Sequence, residues 1–368
     1  MFTRERPRLG TSIDDLETPV LLVELDVFEA NMAAMLEFCR AHGTGWRPHS
    51  KCHKCPDIAR LQLRRGACGI TCAKLSEAEM FAAHGIGPLL IANQVVTPAK
   101  LARLARLQRQ QEVLVAVDDA TVVPLTAQAA TAAGVIIPVL IEVDIGMNRV
   151  GAVPGKEVLD IAVLVARSHG LELRGIMGYE GHVLSIPDAA EKTRACHQAL
   201  DILLDSRDLL ARHGLPVSVV SAGGTGSYQI TAAYPGITEV QAGGGVFMDA
   251  MYRHKCHVEG LDYALTCLTT VTSRTATHVV VDAGFKAMSS YHHEPLPHGR
   301  RDLELRGLSA EHGIFTLQPG ACGPQIGEKV RFVVGYGDST AVLHDYFVGV
   351  RGGRVERIWD IAGRGLLE

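Results

Sequence analysis

No run of 18 or more apolar residues occurs in this 368-residue chain, so no segment reads as a membrane-spanning helix. The longest candidate, Val135 to Val143, is interrupted by Pro138 and Glu142 and has the length of a strand. Met1 to Leu16 alternates Arg, Glu and Asp without an uninterrupted apolar core; no secretory signal is read there, and a cytoplasmic location is expected. Charge of one sign is lacking too. The net charge is −4, with basic residues scattered along the chain, which offers no footprint for a polyphosphate backbone and argues against nucleic acid as a partner. The nine cysteines are odd in number and unevenly placed, which suits reduced thiols better than a disulfide framework. There is no low-complexity linker and no G-x-x-x-x-G-K-[ST] element, so an ATP or GTP site of that kind is excluded.

What is present is enough apolar side chain, 47% against 21% charged, for a large core. At about 100–200 residues per domain, the length favours two domains or one large barrel with an appendage. From residue 46 to about 245 one rhythm repeats, a short apolar run, a polar or Gly-containing loop, then helical periodicity. That is βα repetition. The strand candidates are Trp46–Lys51, Gly69–Lys74, Pro88–Asn93, Val113–Asp118, Ile137–Asp144, Leu173–Tyr179, Val217–Ala222 and Ile237–Gln241. Eight parallel strands close a (β/α)8 TIM-type barrel; an open doubly wound sheet is the rival. After Met251 the pattern turns to strands and turns, with Gly352-Gly353 as a hairpin signal. The fold class is therefore α/β, a (β/α)8 barrel over 27–255 with a C-terminal β domain over 256–368. The segment 1–26, with the strand candidate Val20–Leu25, is expected to join that β domain.

In such a barrel the functional side chains come from the C-terminal ends of the strands and the loops that follow. That filter selects Lys51, Lys74, Asn93, Asp118, Asp144 with Arg149, Tyr179 with His182, the run Ser221 to Ser227, and Gln241 with Gly243-Gly244-Gly245. The two Gly-rich turns follow the seventh and eighth strands, where backbone N–H groups can approach an anion, and Thr225 and Ser227 could add hydroxyl donors. Alternatively the glycines only permit tight turns. Lys51 lies in Arg47-Pro48-His49-Ser50-Lys51-Cys52-His53-Lys54, and a partly desolvated lysine among cations is a nucleophilic amine able to form a Schiff base. A lysine and a phosphate cradle at one rim point to pyridoxal 5′-phosphate. The same stretch has a zinc reading through Cys52-x-x-Cys55, His49, His53, Cys68 and Cys72. Pro56, which suits a helix start, stands against it.

Together with Thr18-Pro19-Val20, Cys72-Ala73-Lys74-Leu75-Ser76-Glu77-Ala78-Glu79, Glu142-Val143-Asp144-Ile145-Gly146-Met147-Asn148-Arg149, Gly223-Gly224-Thr225-Gly226-Ser227, Val246-Phe247-Met248-Asp249, Asp282-Ala283-Gly284-x-Lys286 and Glu311-His312-Gly313, these blocks resemble the D-threonine aldolase and D-serine dehydratase-like family. These are fold-type III pyridoxal phosphate enzymes related to the alanine racemase N-terminal barrel. The resemblance implies Lys51 as the Schiff-base lysine and Arg149 on the cofactor's phenolate oxygen. It places Tyr179 near the ring nitrogen and the phosphate on Thr225, Gly226, Gly243 and Gly244. It also implies a divalent metal, Mg²⁺ or Mn²⁺, held by a His-x-Asp or His-x-Cys pair, whose residues share one face of a strand. Here the run reads Gly335-Tyr336-Gly337-Asp338. A neutral phenol is a poor ligand, which leaves Asp338 as the metal candidate, with His312 or His344 as recruited ligands, or no metal, as the other outcomes.

The implied activity is that of a lyase, a metal-assisted aldolase that cleaves D-3-hydroxy amino acids of the D-threonine or 3-hydroxyaspartate type to glycine and an aldehyde. His182 and His53 are the candidate bases, since imidazole titrates near neutral pH. The alternatives are a D-serine or 3-hydroxyaspartate dehydratase giving a 2-oxo acid and ammonia, an amino-acid racemase using Tyr336, and a non-catalytic pyridoxal phosphate-binding protein. The expected partners are a small amino acid substrate and a second copy of the chain in a homodimer.

Overall fold

The structure is a computed structural model that describes residues 5–368; residues 1–4, on which the expectations for Met1–Leu16 and for segment 1–26 partly fall, lie outside the described residues. In chain order the elements are β1 (Val20–Glu24), α1 (Leu25–Ala41), β2 (Gly45–Trp46), α2 (Pro56–Arg65), β3 (Ile70–Cys72), α3 (Leu75–Ala83), β4 (Leu89–Gln94), α4 (Pro98–Leu107) and β5 (Val113–Val117). Next come α5 (Val122–Ala133), β6 (Ile137–Glu142), α6 (Lys156–Arg167), β7 (Leu171–Met177), α7 (Ala189–Arg212), β8 (Val219–Ala222), α8 (Tyr228–Thr231) and β9 (Glu239–Val240). The strands β10 (Leu265–Arg274), β11 (His278–Val281), β12 (Leu296–Pro297), β13 (Leu303–Leu308), β14 (Gly313–Leu317) and β15 (Lys329–Val333) follow, and α9 (Gly337–Ala341), β16 (Tyr346–Arg351) and β17 (Arg354–Asp360) complete the chain. They form two compact units, one of Met35–Lys51, Ala59–Gly243 and Leu366–Glu368, the other of the residues up to Ala34, Cys52–Ile58 and Gly244–Gly365.

In the first unit β2 to β9 make one parallel sheet in the order β2-β9-β8-β7-β6-β5-β4-β3. Its two ends meet. Cys68 N–H donates to the Trp46 carbonyl at 2.8 Å, Thr71 N–H donates to that of Pro48 at 2.9 Å, and His49 bridges Thr71 in parallel. The sheet closes into the barrel that the sequence pattern predicts, and a doubly wound sheet with open edges is ruled out. Each of the eight candidates overlaps a strand. The first is regular only over β2, because Pro48 cannot donate to the ladder, and a 3₁₀ turn over Ser50–Cys52 follows.

The barrel interior is filled by strand residues, among them Leu90, Leu114, Ala116, Leu140 and Met177. The outer helices present apolar stripes at helical spacing, such as Val158, Ile161, Ala162 and Val165 of α6. Their ends carry the expected signals. The Thr97 side chain accepts Lys100 N–H and Pro98 opens α4, Asp188 accepts Glu191 N–H at the start of α7, and α5 stops at Gly134 with φ +66°.

In the second unit β1 pairs antiparallel with β10 and parallel with β16. Gly352 and Gly353, with φ of +54° and +72°, turn the hairpin between β16 and β17. Two strands lack a sequence signal of their own. β12 is two residues long, and β13 carries Glu304 and Arg306 and is interrupted by a bulge between Leu305 and Gly307.

Gly243 shows how closely the barrel seam is fitted, since a Cβ there would lie 2.1 Å from the carbonyl oxygen of His49. A backbone atom cannot swing aside. Gly243→Ala is expected to destabilise the protein by about 3 kcal/mol, read as a lower urea midpoint at an unchanged m-value.

Candidate active site

Lys51, half-buried, ends the first barrel strand's extension and is anchored on both sides. Toward β3, the Ser50 hydroxyl lies 2.9 Å from the Thr71 carbonyl and 2.7 Å from the Glu77 carboxylate, whose other oxygen accepts Ala73 N–H at 2.8 Å. Toward β9, His49 N–H donates to the Gln241 carbonyl at 3.0 Å and the Trp46 indole to that of Ala242 at 2.7 Å. The lysine is therefore fixed in register with the loop that runs into the second glycine turn.

Arg149 and Tyr179 are brought together. The guanidinium carbon lies 5.7 Å from the Tyr179 ring centroid, and Glu142 approaches Arg149 to 3.8 Å. Burial raises the Glu142 carboxyl above its ordinary value, opposed by the Gln94 amide that donates to it at 2.7 Å and by the charge of Arg149. Tyr179 also presses on the first glycine turn, since a Cβ on Gly224 would sit 2.9 Å from its ring and 3.0 Å from its hydroxyl. His182 lies against the loop after β6, its Nε2 2.9 Å from where a Cβ on Gly146 would stand. That loop is held by Asp144, which accepts the N–H groups of Gly146 and Asn148 at 3.0 Å each.

The turn Gly223 to Ser227 starts with φ +79° at Gly223, a conformation that suits glycine. Thr225 and Gly226 lie buried within it. Ser227, considered from the sequence as a donor to an anion, instead gives its hydroxyl proton to Glu180 at 2.5 Å and accepts Gly224 N–H at 3.2 Å. The second turn continues from Gly243 to Gly244, where a Cβ would lie 2.5 Å from the Tyr252 ring. Sequence reasoning gave no role to Glu180, Glu142 or Tyr252. The first two stand at the C-terminal ends of β7 and β6, so the barrel-rim filter could have selected them.

His53 belongs to the second unit and is fully buried. Its Nδ1 accepts Cys55 N–H at 3.0 Å, so the ring proton sits on Nε2. The zinc reading finds no cage, since among the described residues no three His, Cys, Asp or Glu side chains converge. Cys55 is pushed up to about 12 and Cys68 to about 11, both chiefly by burial.

Asp338, in α9, accepts the Tyr336 hydroxyl at 2.7 Å. Nearby Asp249 is fully buried and pushed up to about 8 by burial, against the N–H groups of Gly337 and Tyr252 that it accepts at 2.8 Å each. A carboxyl that keeps its proton at neutral pH is a weak ligand. His344 Nε2 donates to the Ala287 carbonyl at 2.9 Å, and His312 sits in the turn between β13 and β14. Among the described residues no group of three or more His, Cys, Asp or Glu side chains that could hold a cation forms around Asp338.

A closed parallel barrel with a rim lysine, an arginine–tyrosine pair and two glycine turns defines the alanine racemase-like class. The chain matches the alanine racemase N-terminal domain family over residues 23–251 and the putative serine dehydratase domain family over residues 264–350. It is 39% identical over 359 residues to a D-threonine aldolase of Arthrobacter sp, covering 97% of this chain and 95% of that one. It is 36% identical over 366 residues to a 3-hydroxy-D-aspartate aldolase of Paracoccus denitrificans, covering 97% and 94%. Among solved structures, D-threonine aldolase from Filomicrobium marinum superposes with a TM-score of 0.96 at 36% identity, covering 98% of this chain and all of that one. The chain belongs to the D-threonine aldolase family of alanine racemase-like, pyridoxal phosphate-dependent carbon–carbon lyases.

The barrel residues fit that cofactor. A half-buried rim lysine can bind its aldehyde, and the close-packed turns at Gly224 and Gly243 bring backbone where a side chain would intrude. If the phenol–carboxylate bond is what spoils the cation site, Tyr336→His should raise Mn²⁺ affinity about tenfold or more, measured by calorimetric titration. Unchanged affinity would show that the defect lies elsewhere.

Proposed function

We propose that this protein cleaves D-3-hydroxy amino acids, of the D-threonine or 3-hydroxyaspartate type, to glycine and an aldehyde. The observation that carries this reading is the fastening of the Lys51 segment to the loop of Gly243, in a chain alignable almost end to end with aldolases. Lys51 Nζ would be the amine that holds the cofactor's aldehyde carbon. Arg149, approached by Glu142, would donate to the phenolate oxygen. Tyr179 would face the ring nitrogen. Thr225, Gly226, Gly243 and Gly244 would hold the phosphate. When bound, pyridoxal phosphate supplies the electron sink for the pair left at the α-carbon.

The β-hydroxyl proton needs an acceptor as the Cα–Cβ bond breaks and the β-carbon becomes a carbonyl. Of the two candidates, His53 already accepts Cys55 N–H at Nδ1 and carries its proton on Nε2, so His182 is the better base. A proton returned to the α-carbon completes glycine.

Expulsion of hydroxide, as a dehydratase requires, asks more of a Lewis acid than alkoxide formation does. Among the relatives, the D-threo-3-hydroxyaspartate dehydratase of Delftia sp. is also more distant, at 31% identity. The reading extends to a cytoplasmic homodimer. The nine free thiols support a reducing compartment, and the family likeness supports the dimer.

Incubation with D-threonine, D-serine and D-3-hydroxyaspartate should yield aldehyde and glycine from a β-hydroxy substrate; keto acid and ammonia without glycine would reject the aldolase. Lys51→Ala should remove the absorbance band of lysine-bound cofactor at about 410–430 nm. A retained band would mean that another lysine carries the link.

A further inference from the structure

Glu180 follows Tyr179 at the C-terminal side of β7 and has no exposed surface. A carboxylate taken wholly out of water is costly unless its oxygens find donors. Here the donors all come from one stretch of chain. Oε1 accepts the hydroxyls of Ser227 and Thr231, each at 2.5 Å, and Oε2 accepts Gly223 N–H at 3.3 Å. Ser227, so held, accepts Gly224 N–H in turn. Both ends of the turn that carries Thr225 and Gly226 are thus tied to a single side chain, and the neighbouring Tyr179 closes on Gly224.

We propose that Glu180 is a positioning residue that sets the shape of this turn for the cofactor's phosphate. The preference for the phosphorylated cofactor over pyridoxal then depends on a carboxylate whose bonds run to the turn itself. The inference rests on the reading of Thr225 and Gly226 as phosphate-holding residues. Its physical content is preorganisation: backbone N–H groups receive an anion well only if they are already aimed, and three bonds to one buried carboxylate aim them without ligand.

The full-length chain, freed of cofactor, is titrated in parallel with pyridoxal 5′-phosphate and with pyridoxal, following absorbance. Wild type should prefer the phosphorylated form strongly. Glu180→Ala should lower that preference about tenfold or more while affinity for pyridoxal changes by no more than about twofold. Glu180→Gln, which keeps the volume but sets an amide N–H₂ among donors, should fall between. Should the alanine variant not fold, Thr231→Val and Glu180→Gln carry the test, each expected to reduce the preference. A parallel fall in both affinities marks a merely structural role and overturns the inference, as does an unchanged preference in the folded variants. A wild-type chain that binds both forms equally would overturn the phosphate assignment and this inference together, whereas a preference that survives in the variants overturns this inference alone.

Discussion

At the seam where the first barrel strand meets the eighth, the backbone of Gly243 lies so close to His49 that a single added carbon would strike its carbonyl oxygen. The positioning of the site depends on that approach. Two residues beyond His49 stands Lys51, and immediately after Gly243 the second glycine turn begins. Since parallel pairing sets each strand's height against its neighbours, the hydrogen bonds of Arg47, His49 and Trp46 to the Val240–Ala242 stretch determine how the amine stands relative to the loop. A one-residue slip would turn the lysine to the other face.

The rest of the rim is organised by buried acids that do no chemistry in the proposed reaction. Glu142 orients Arg149 and accepts from Gln94, Glu77 holds Ser50 and Ala73, and Glu180 gathers Ser227, Thr231 and Gly223. Each is surrounded by donors, as a carboxylate out of water must be. The function asks for N–H and guanidinium groups aimed at an anionic ligand, and buried carboxylates are the acceptors that hold such groups in place. The second unit presents a different balance. There a phenol donates to one oxygen of Asp338, and burial pushes the Asp249 carboxyl up to about 8.

Much of this architecture was legible in the chain. The apolar runs of the barrel strands, buried on both faces, read as strands without regard to tertiary context, and β-branched residues with Gly-containing loops marked the eight repeats. Lys51 was legible because its position at a strand end combines with the glycine turns after the last two strands. β13 was not, because Glu304, Arg306 and Gly307 interrupt its apolar pattern and only pairing with β14 makes it a strand. Glu180 escaped notice because a lone glutamate beside a tyrosine and a glycine has no local mark of burial.

From the sequence alone came the repeat, the rim residues and the chemistry that a lysine with an anion cradle permits, because these follow from local periodicity and from residue types at strand ends. Tertiary structure alone decided that Ser227 turns inward to Glu180 and that Gly223 N–H donates to the same carboxylate. Those outcomes depend on partners up to 47 residues apart in the chain. A hydrogen bond between distant residues exists only once folding has removed both groups from water and left them each other.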